Sequence, residues 1–216
     1  MYFPTKTLLL ITTLLVTLGA AANTTATVIA DNPQQVRPLL NGMTAPAVTL
    51  LDQQGKEVQL LTEVGKKPTV LVFYRGDWCP YCNAQLAGLQ DIEPKLKALG
   101  YQLLAISPQA PKAVTDSQAN TKGAALNYRL LSDQPLHVAR AFGLAYYLDD
   151  KTTALYKGSY GIELTYDNTG KAVLPVPAVY ILNSKAEVQF SYVHINYKTR
   201  LEPELLLLAA KLAAKR

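Results

Sequence analysis

An unbroken apolar run, Thr69-Val70-Leu71-Val72-Phe73-Tyr74, leads through Arg75-Gly76-Asp77 into Trp78-Cys79-Pro80-Tyr81-Cys82, which holds the two cysteines of the chain. A run of β-branched and aromatic residues without polar alternation suits a central strand covered on both faces. Proline is tolerated in the first turn of a helix, so Pro80 marks a helix start, with Cys79 just outside it and Cys82 one turn in. The dithiol therefore sits at a strand-to-helix turn.

That placement dictates sulfur chemistry. The unsatisfied amides and positive dipole end of a helix favour a thiolate on Cys79, and the thiolate is the nucleophilic form. Cys79 is read as the attacking residue. Cys82, three residues on along the same face, is read as the more buried resolving residue that displaces a mixed disulfide. Arg75 lowers the Cys79 pKa further while Asp77 opposes it, so the reading gives a direction, downward, without a size. A purely structural disulfide would close too small a loop to restrain the unfolded chain. A zinc site would need His137 and His194, which lack a finger spacing. Two unrelated core thiols are the remaining alternative. No metal or cofactor is implied beyond a redox-active Cys79-Cys82 disulfide.

Residues 1–22 read as a secretory signal, with Lys6 in the leading stretch, an apolar core over 8–18 and a small-residue site at Ala20-Ala21-Ala22. The core is too short to span a bilayer in the usual way. The expectation is a periplasmic or secreted protein cleaved after Ala22, in an oxidising space where a dithiol needs a partner to stay reduced. Cleavage leaves 194 residues, enough for one domain with a sizeable core. The formal charge of +5 is modest and dispersed, which gives no reason to expect nucleic acid as a partner. Residues 23–40 are small and polar without periodicity and read as a flexible lead-in, leaving 41–216 as the domain.

Along the domain, Val48-Thr49-Leu50 and Val58-Gln59-Leu60 alternate around Asp52-Gln53-Gln54-Gly55 and predict a hairpin. Leu86, Leu89, Ile92, Leu96 and Leu99 continue the Pro80 helix to Gly100, with Pro94 inside it as an expected kink. Residues 101–106 read as a second strand, so strand, helix and strand form a parallel crossover. Residues 128–131 read as a third strand, and Ser132-Asp133 as the cap of a short helix ending at Gly143. Residues 178–182 and 188–193 flank a turn at Asn183-Ser184-Lys185. A last helix over 202–214 is expected to bury Leu201, Leu205, Leu208 and Leu212.

Phe73-Tyr74-Arg75-Gly76-Asp77-Trp78-Cys79-Pro80-Tyr81-Cys82, followed by Leu174-Pro175-Val176-Pro177-Ala178, resembles the redoxins of the thioredoxin fold. More narrowly it is similar to the peroxiredoxin-like branch of the alkyl hydroperoxide reductase/thiol-specific antioxidant (AhpC/TSA) family, over residues 46–208. The resemblance implies an α/β, thioredoxin-like fold: a mixed central sheet flanked by helices, an N-terminal hairpin, and an insertion before a cis-proline strand. It also implies that Val176-Pro177 is the cis-proline pair that lies against the dithiol and contacts substrate. Pro175 is the rival, and a trans proline opening an edge strand is the alternative. Peroxiredoxins carry Pro-x-x-x-Thr-x-x-Cys, and this chain departs from it. With Cys82 in the peroxidatic place, Arg75 and Cys79 stand for the proline and threonine; with Cys79 there, Val72 and Gly76 do.

The expected activity is therefore thiol-disulfide oxidoreduction, with Cys79 attacking, Cys82 resolving, Trp78, Pro80 and Arg75 in support, and Val176 and Pro177 at the substrate. Thiol peroxidation is the second reading and a non-catalytic redox sensor the third. The missing proline and threonine place disulfide exchange ahead of peroxide reduction. Partners are protein or small-molecule disulfides or hydroperoxides, and a thiol reductant or oxidant protein. His137 and His194 are left outside the site. The tyrosine-rich stretch 144–174 is either a cover over the dithiol or a self-packed excursion.

Overall fold

The structure is a computed structural model that describes residues 28–215; the expected signal, 1–22, lies outside the described residues. A hairpin of β1 (Thr49–Leu51) and β2 (Glu57–Gln59) leads into α1 (Leu60–Val64), β3 (Thr69–Phe73) and the long α2 (Pro80–Ala98). Then come β4 (Gln102–Ser107), α3 (Pro111–Ala119), β5 (Arg129–Ser132) and α4 (His137–Ala141). The 144–174 stretch contributes β6 (Ala145–Tyr147), α5 (Asp150–Gly158) and β7 (Val173–Pro175), and the chain closes with β8 (Ala178–Leu182), β9 (Val188–Val193) and α6 (Pro203–Ala213).

Seven strands form one mixed sheet in the order β2-β1-β5-β4-β3-β8-β9, in which β3, β4 and β5 are parallel and the other pairs antiparallel. β6 and β7 make a separate antiparallel pair. Every residue of β3 is buried, because β3 lies between β4 and β8 and both of its faces are covered. Alternation along the strand divides the core. Val70 and Val72 meet Leu86, Leu89 and Leu96 of α2 and Leu206 of α6, while Leu71 and Phe73 meet Leu60, Val138 and Phe142 on the opposite face. This is the thioredoxin-like layered fold implied by the resemblance.

The helix opened by Pro80 runs to Ala98, through Pro94, and Gly100 follows it with φ +85°. Two departures are instructive. In α6 the buried residues are Leu206 and Ala210, whereas Leu205, Leu208 and Leu212 are 50%, 52% and 53% exposed. The leucines sit almost all round this helix, so their spacing fits two faces. The small Ala210 decides between them: its side permits close approach to α2, and Tyr101 Oη donates to the Ala210 carbonyl at 3.3 Å. The second departure concerns the lead-in. From Ile29 onward it is hydrogen-bonded to the domain, with Ala30 N donating to Ala145 O, Arg37 N to Gly143 O and Leu39 N to Phe142 O. Gly143, at φ +66°, makes room for this: a Cβ there would lie 1.9 Å from the Arg37 carbonyl oxygen.

α1, α3 and α5 escape the sequence pattern. α5 has no fully buried residue and α3 only Val114 and Ser117, so neither carries the apolar stripe that marks a helix.

Candidate active site

The site begins at the end of β3. Tyr74 N donates to the Ile106 carbonyl, extending the strand pairing by one residue, and the chain then turns at Gly76, φ +154°. A Cβ on Gly76 would lie 2.4 Å from Trp78 Nε1 and 3.0 Å from Gln109 Cδ, so only glycine lets the indole fold back over the turn. Gln109 fixes the next residue from both sides, accepting from Asp77 N at 2.8 Å and donating to Asp77 Oδ1 at 2.6 Å.

Cys79 is the N-cap of α2, with extended backbone at φ −94° and ψ 110°, and Pro80 is the first helical residue. The Cys79 carbonyl accepts from Cys82 N at 3.0 Å and Asn83 N at 3.1 Å, which fastens both sulfurs to one helical turn. Both thiols are free, and both are buried: Cys79 is 1% exposed and Cys82 is fully enclosed. Sequence reasoning makes Cys82 the more buried of the two; the structure closes over both.

The two sulfurs are nonetheless electrostatically distinct. A hydrogen bond from the Cys82 thiol, then the Cys82 amide and the Arg75 and Arg200 charges, outweigh burial and bring Cys79 down to about 6. Burial pushes Cys82 well up, and its hydrogen bond to Cys79 adds to that. At neutral pH the pair is one thiolate and one thiol.

Arg200 is the residue that sequence reasoning missed. It lies in the loop between β9 and α6, and its Nη2 is 3.2 Å from Cys82 Sγ and 3.9 Å from Cys79 Sγ, while Nη1 donates to Gln85 Oε1 at 3.2 Å. Nothing in the polar stretch Tyr197-Lys198-Thr199-Arg200 marks it, because its role depends on the fold carrying that loop back across α2. Arg75, singled out from the sequence, is 2% exposed. Its guanidinium sits 4.2 Å from the ring centre of Tyr197, 4.9 Å from Trp78 and 5.5 Å from Tyr156, and Nη2 donates to Tyr156 Oη at 2.9 Å. Burial opposes the Arg75 charge, but Tyr146, Tyr156 and Cys79 more than restore it and its pKa is raised.

Tyr156 belongs to α5 and meets the Trp78 ring edge-on at 5.4 Å. The 144–174 stretch thus does cover the Arg75 side of the dithiol. Its packing is also internal: Tyr146, Leu148, Leu164, Leu174 and Val176 form their own cluster, which Trp78 and Tyr156 join.

Val176 and Pro177 require a correction. There is no cis peptide bond among the described residues, so Val176-Pro177 is trans. The trans form is ordinarily favoured for Xaa-Pro, and the neighbouring pairing fits it: Pro175 is paired with Ala145, Val176 N donates to Leu144 O at 2.9 Å, and the Pro177 carbonyl accepts from His194 N at 3.4 Å. Val176 is buried in the cluster that Trp78 joins. His137 is exposed and pairs with Thr49 Oγ1, and His194 stacks on Tyr192 and accepts from Asn196 N. A groove of about 820 Å³ between residues 28–43 and 140–145 lies away from the dithiol. No group of side chains able to hold a metal ion occurs among the described residues, and no described helix is long and apolar enough to cross a membrane.

Residues 42–191 match the model of the AhpC/TSA family. The chain belongs to that family. Over 109 residues it is 41% identical to the bcp-type peroxiredoxin assigned in Haemophilus influenzae, a match covering 50% of this chain and 68% of that protein. It is 37% identical over 103 residues to the chloroplastic peroxiredoxin Q of Gentiana triflora, covering 48% of this chain and 46% of the relative. Among solved structures, the peroxidoxin BcpB of Mycobacterium tuberculosis superposes with a TM-score of 0.60 at 17% identity, over 81% of this chain and 96% of that one. The chain is a peroxiredoxin-like redoxin of thioredoxin fold.

Proposed function

We propose that the protein is a thiol peroxidase in which Cys79 attacks a hydroperoxide and Cys82 resolves the product. In the first step the Cys79 thiolate attacks the terminal oxygen, an S–O bond forms as the O–O bond breaks, and the departing alkoxide takes a proton to leave as an alcohol. The Cys82 thiol then attacks the Cys79 sulfenic acid, releasing water and closing the Cys79-Cys82 disulfide. A thiol reductant returns both sulfurs to the starting state.

One observation carries this reading beyond family membership: a sulfur that ionises near pH 6 is 1% exposed. A small peroxide needs little opening to reach it, whereas a folded protein disulfide needs much more. The argument against peroxide from the sequence, the lack of the proline and threonine, loses its force with Arg200 in place. Its guanidinium is within reach of both sulfurs and supplies a donor where charge develops on the leaving oxygen. The bcp-type and Q-type peroxiredoxin names of the relatives point the same way.

Thiol-disulfide exchange is the second reading, favoured by the Cys-Pro-Tyr-Cys spacing with its one-thiolate, one-thiol pair. Stopped-flow fluorescence of the reduced protein decides between them, since Trp78, the chain's one tryptophan, abuts Cys79. Hydrogen peroxide is expected to oxidise the protein faster than an equal concentration of a disulfide-bearing protein; the reverse order would replace peroxidation by exchange. The residue 1–22 pattern supports an exported site of action, and N-terminal sequencing of the mature protein tests it: an intact Met1 would rule out cleavage after Ala22.

A further inference from the structure

Charge does not balance around Cys79. The charges of Arg75 and Arg200 both favour the Cys79 thiolate, while burial keeps Cys82 neutral, and the Arg200 Nη2 lies 3.9 Å from Cys79 Sγ. Neither Arg75 nor Arg200 forms an ion pair with a carboxylate among the described residues. The nearby acids are turned elsewhere: Asp77 is held by Gln109, and Asp149 caps α5 through Thr152. Arg75 is 98% buried, its one side-chain hydrogen bond goes to a neutral phenol, and its Nε has no acceptor. The Arg200 Nε is buried and unpartnered as well. Rings at 4.2, 4.9 and 5.5 Å ease the burial of the Arg75 charge but offer its N–H groups no lone pair in the plane of the fork.

Guanidinium forks are matched by carboxylates, which accept two parallel hydrogen bonds. The cover over Arg75 is also the lightly attached part of the fold. α5 has no fully buried residue, and it reaches the site through Tyr156. We propose that Arg75, with Arg200 left to the departing oxygen, forms an oxyanion-binding subsite near Cys79, entered by displacing the Tyr156 hydroxyl, that takes the carboxylate of an organic hydroperoxide. This rests on the peroxidase reading and names its substrate class. The carboxylate is unchanged by turnover: Cys79 takes the terminal oxygen, the O–O bond breaks, and the alkoxide leaves with a proton as a hydroxy acid. Trp78 and Tyr156 supply apolar walls for the remainder of the substrate.

The test compares cumene hydroperoxide with its para-carboxylate derivative on the reduced protein at pH 7. The carboxylate form is expected to react at least tenfold faster, with the advantage shrinking as salt is added. Arg75→Met is expected to reduce the ratio to near one, and Arg75→Lys to keep part of it. Equal rates in the unaltered protein, or a ratio indifferent to Arg75→Met, would overturn the subsite. A second measurement needs no peroxide: benzoate, and not benzamide, should slow alkylation of Cys79 by iodoacetamide in the unaltered protein. Protection by benzoate with neither peroxide reacting would uphold the subsite and remove the peroxidase reading. Peroxide turnover without protection or preference would do the opposite.

Discussion

The sulfur side and the cation side of the site are built in opposite ways. Cys79 and Cys82 are placed by five consecutive residues and one helical turn, on a helix packed against the central sheet. The guanidinium closest to them comes from a loop 118 residues away from Cys82. Arg75 is local, yet the groups that hold it, Tyr156 and Tyr197, come from α5 and from the loop after β9. Local sequence therefore fixes where the two sulfurs stand and, through the Cys82 hydrogen bond, most of what lowers the Cys79 pKa, while tertiary structure adds the second cation, Arg200. The sheet side is packed tightly, and the cover rests on few contacts.

The strongest way to break this division is at the sulfurs. Cys79→Ser is expected to abolish peroxide turnover, whereas Cys82→Ser should still be oxidised once and hold a sulfenic acid on Cys79. Trapping with a sulfenic-acid reagent followed by mass spectrometry reads the outcome. A trapped Cys82 in the Cys79→Ser protein, with none on Cys79 in the other variant, would reverse the assignment.

Arg200→Met probes the distant half. Loss of one donor to a developing oxyanion can cost about 10²–10³-fold in rate, and a slowing of roughly tenfold or more is expected here. The pH profile separates charge from packing. In the unaltered protein the alkylation rate of Cys79 should rise with pH through about 6, because the thiolate fraction grows as pH passes the thiol's pKa. Arg200→Met should move that midpoint upward; an unmoved midpoint would show that the cation does not act on the thiolate.

A smaller effect is expected at the cover. Tyr156→Phe removes the hydroxyl that receives the Arg75 hydrogen bond while keeping the ring against Trp78. Alkylation of Cys79 by a neutral reagent should quicken a few-fold, and Tyr156→Ala should quicken it more. No change in either variant would mean that Tyr156 does not control access.

The smallest expected change lies on α6 and checks which face is core. Leu205→Ser should alter stability by no more than about 0.5 kcal/mol, as for ordinary surface positions, while Leu206→Ala should cost about 2–5 kcal/mol. Denaturant titration of both proteins measures this directly, and equal losses would restore the face read from leucine spacing alone.

These contrasts also explain what was legible. β3 and α2 were readable because an unbroken apolar run and a proline-led helix each carry their own physical signature. The same holds for the hairpins β1-β2 and β8-β9, which are bounded by turn residues. Arg200 was not readable, since a single cation in a polar loop looks like any solvated charge. α5 was hidden for want of an apolar stripe, although the tyrosines of its stretch did mark it as a possible cover. The cis assignment of Val176-Pro177 came by resemblance, and here the local pairing holds a trans bond instead. In α6 the rule of spacing failed because leucine is too frequent there to choose a face.

The hydrogen bond from Cys82 to Cys79 has a consequence for how many protons accompany the electrons. Below about pH 6 both sulfurs of the reduced pair are protonated, so forming the disulfide releases two electrons and two protons, and the midpoint potential should fall by about 59 mV per pH unit. Above that point Cys79 is already ionised and Cys82 is not, so one proton leaves with two electrons and the fall should halve to about 30 mV per pH unit. The bend in a plot of midpoint potential against pH therefore reports the ionisation of a sulfur that solvent barely touches. A straight line through pH 6 that kept the slope of about 59 mV per pH unit would mean that Cys79 does not ionise there.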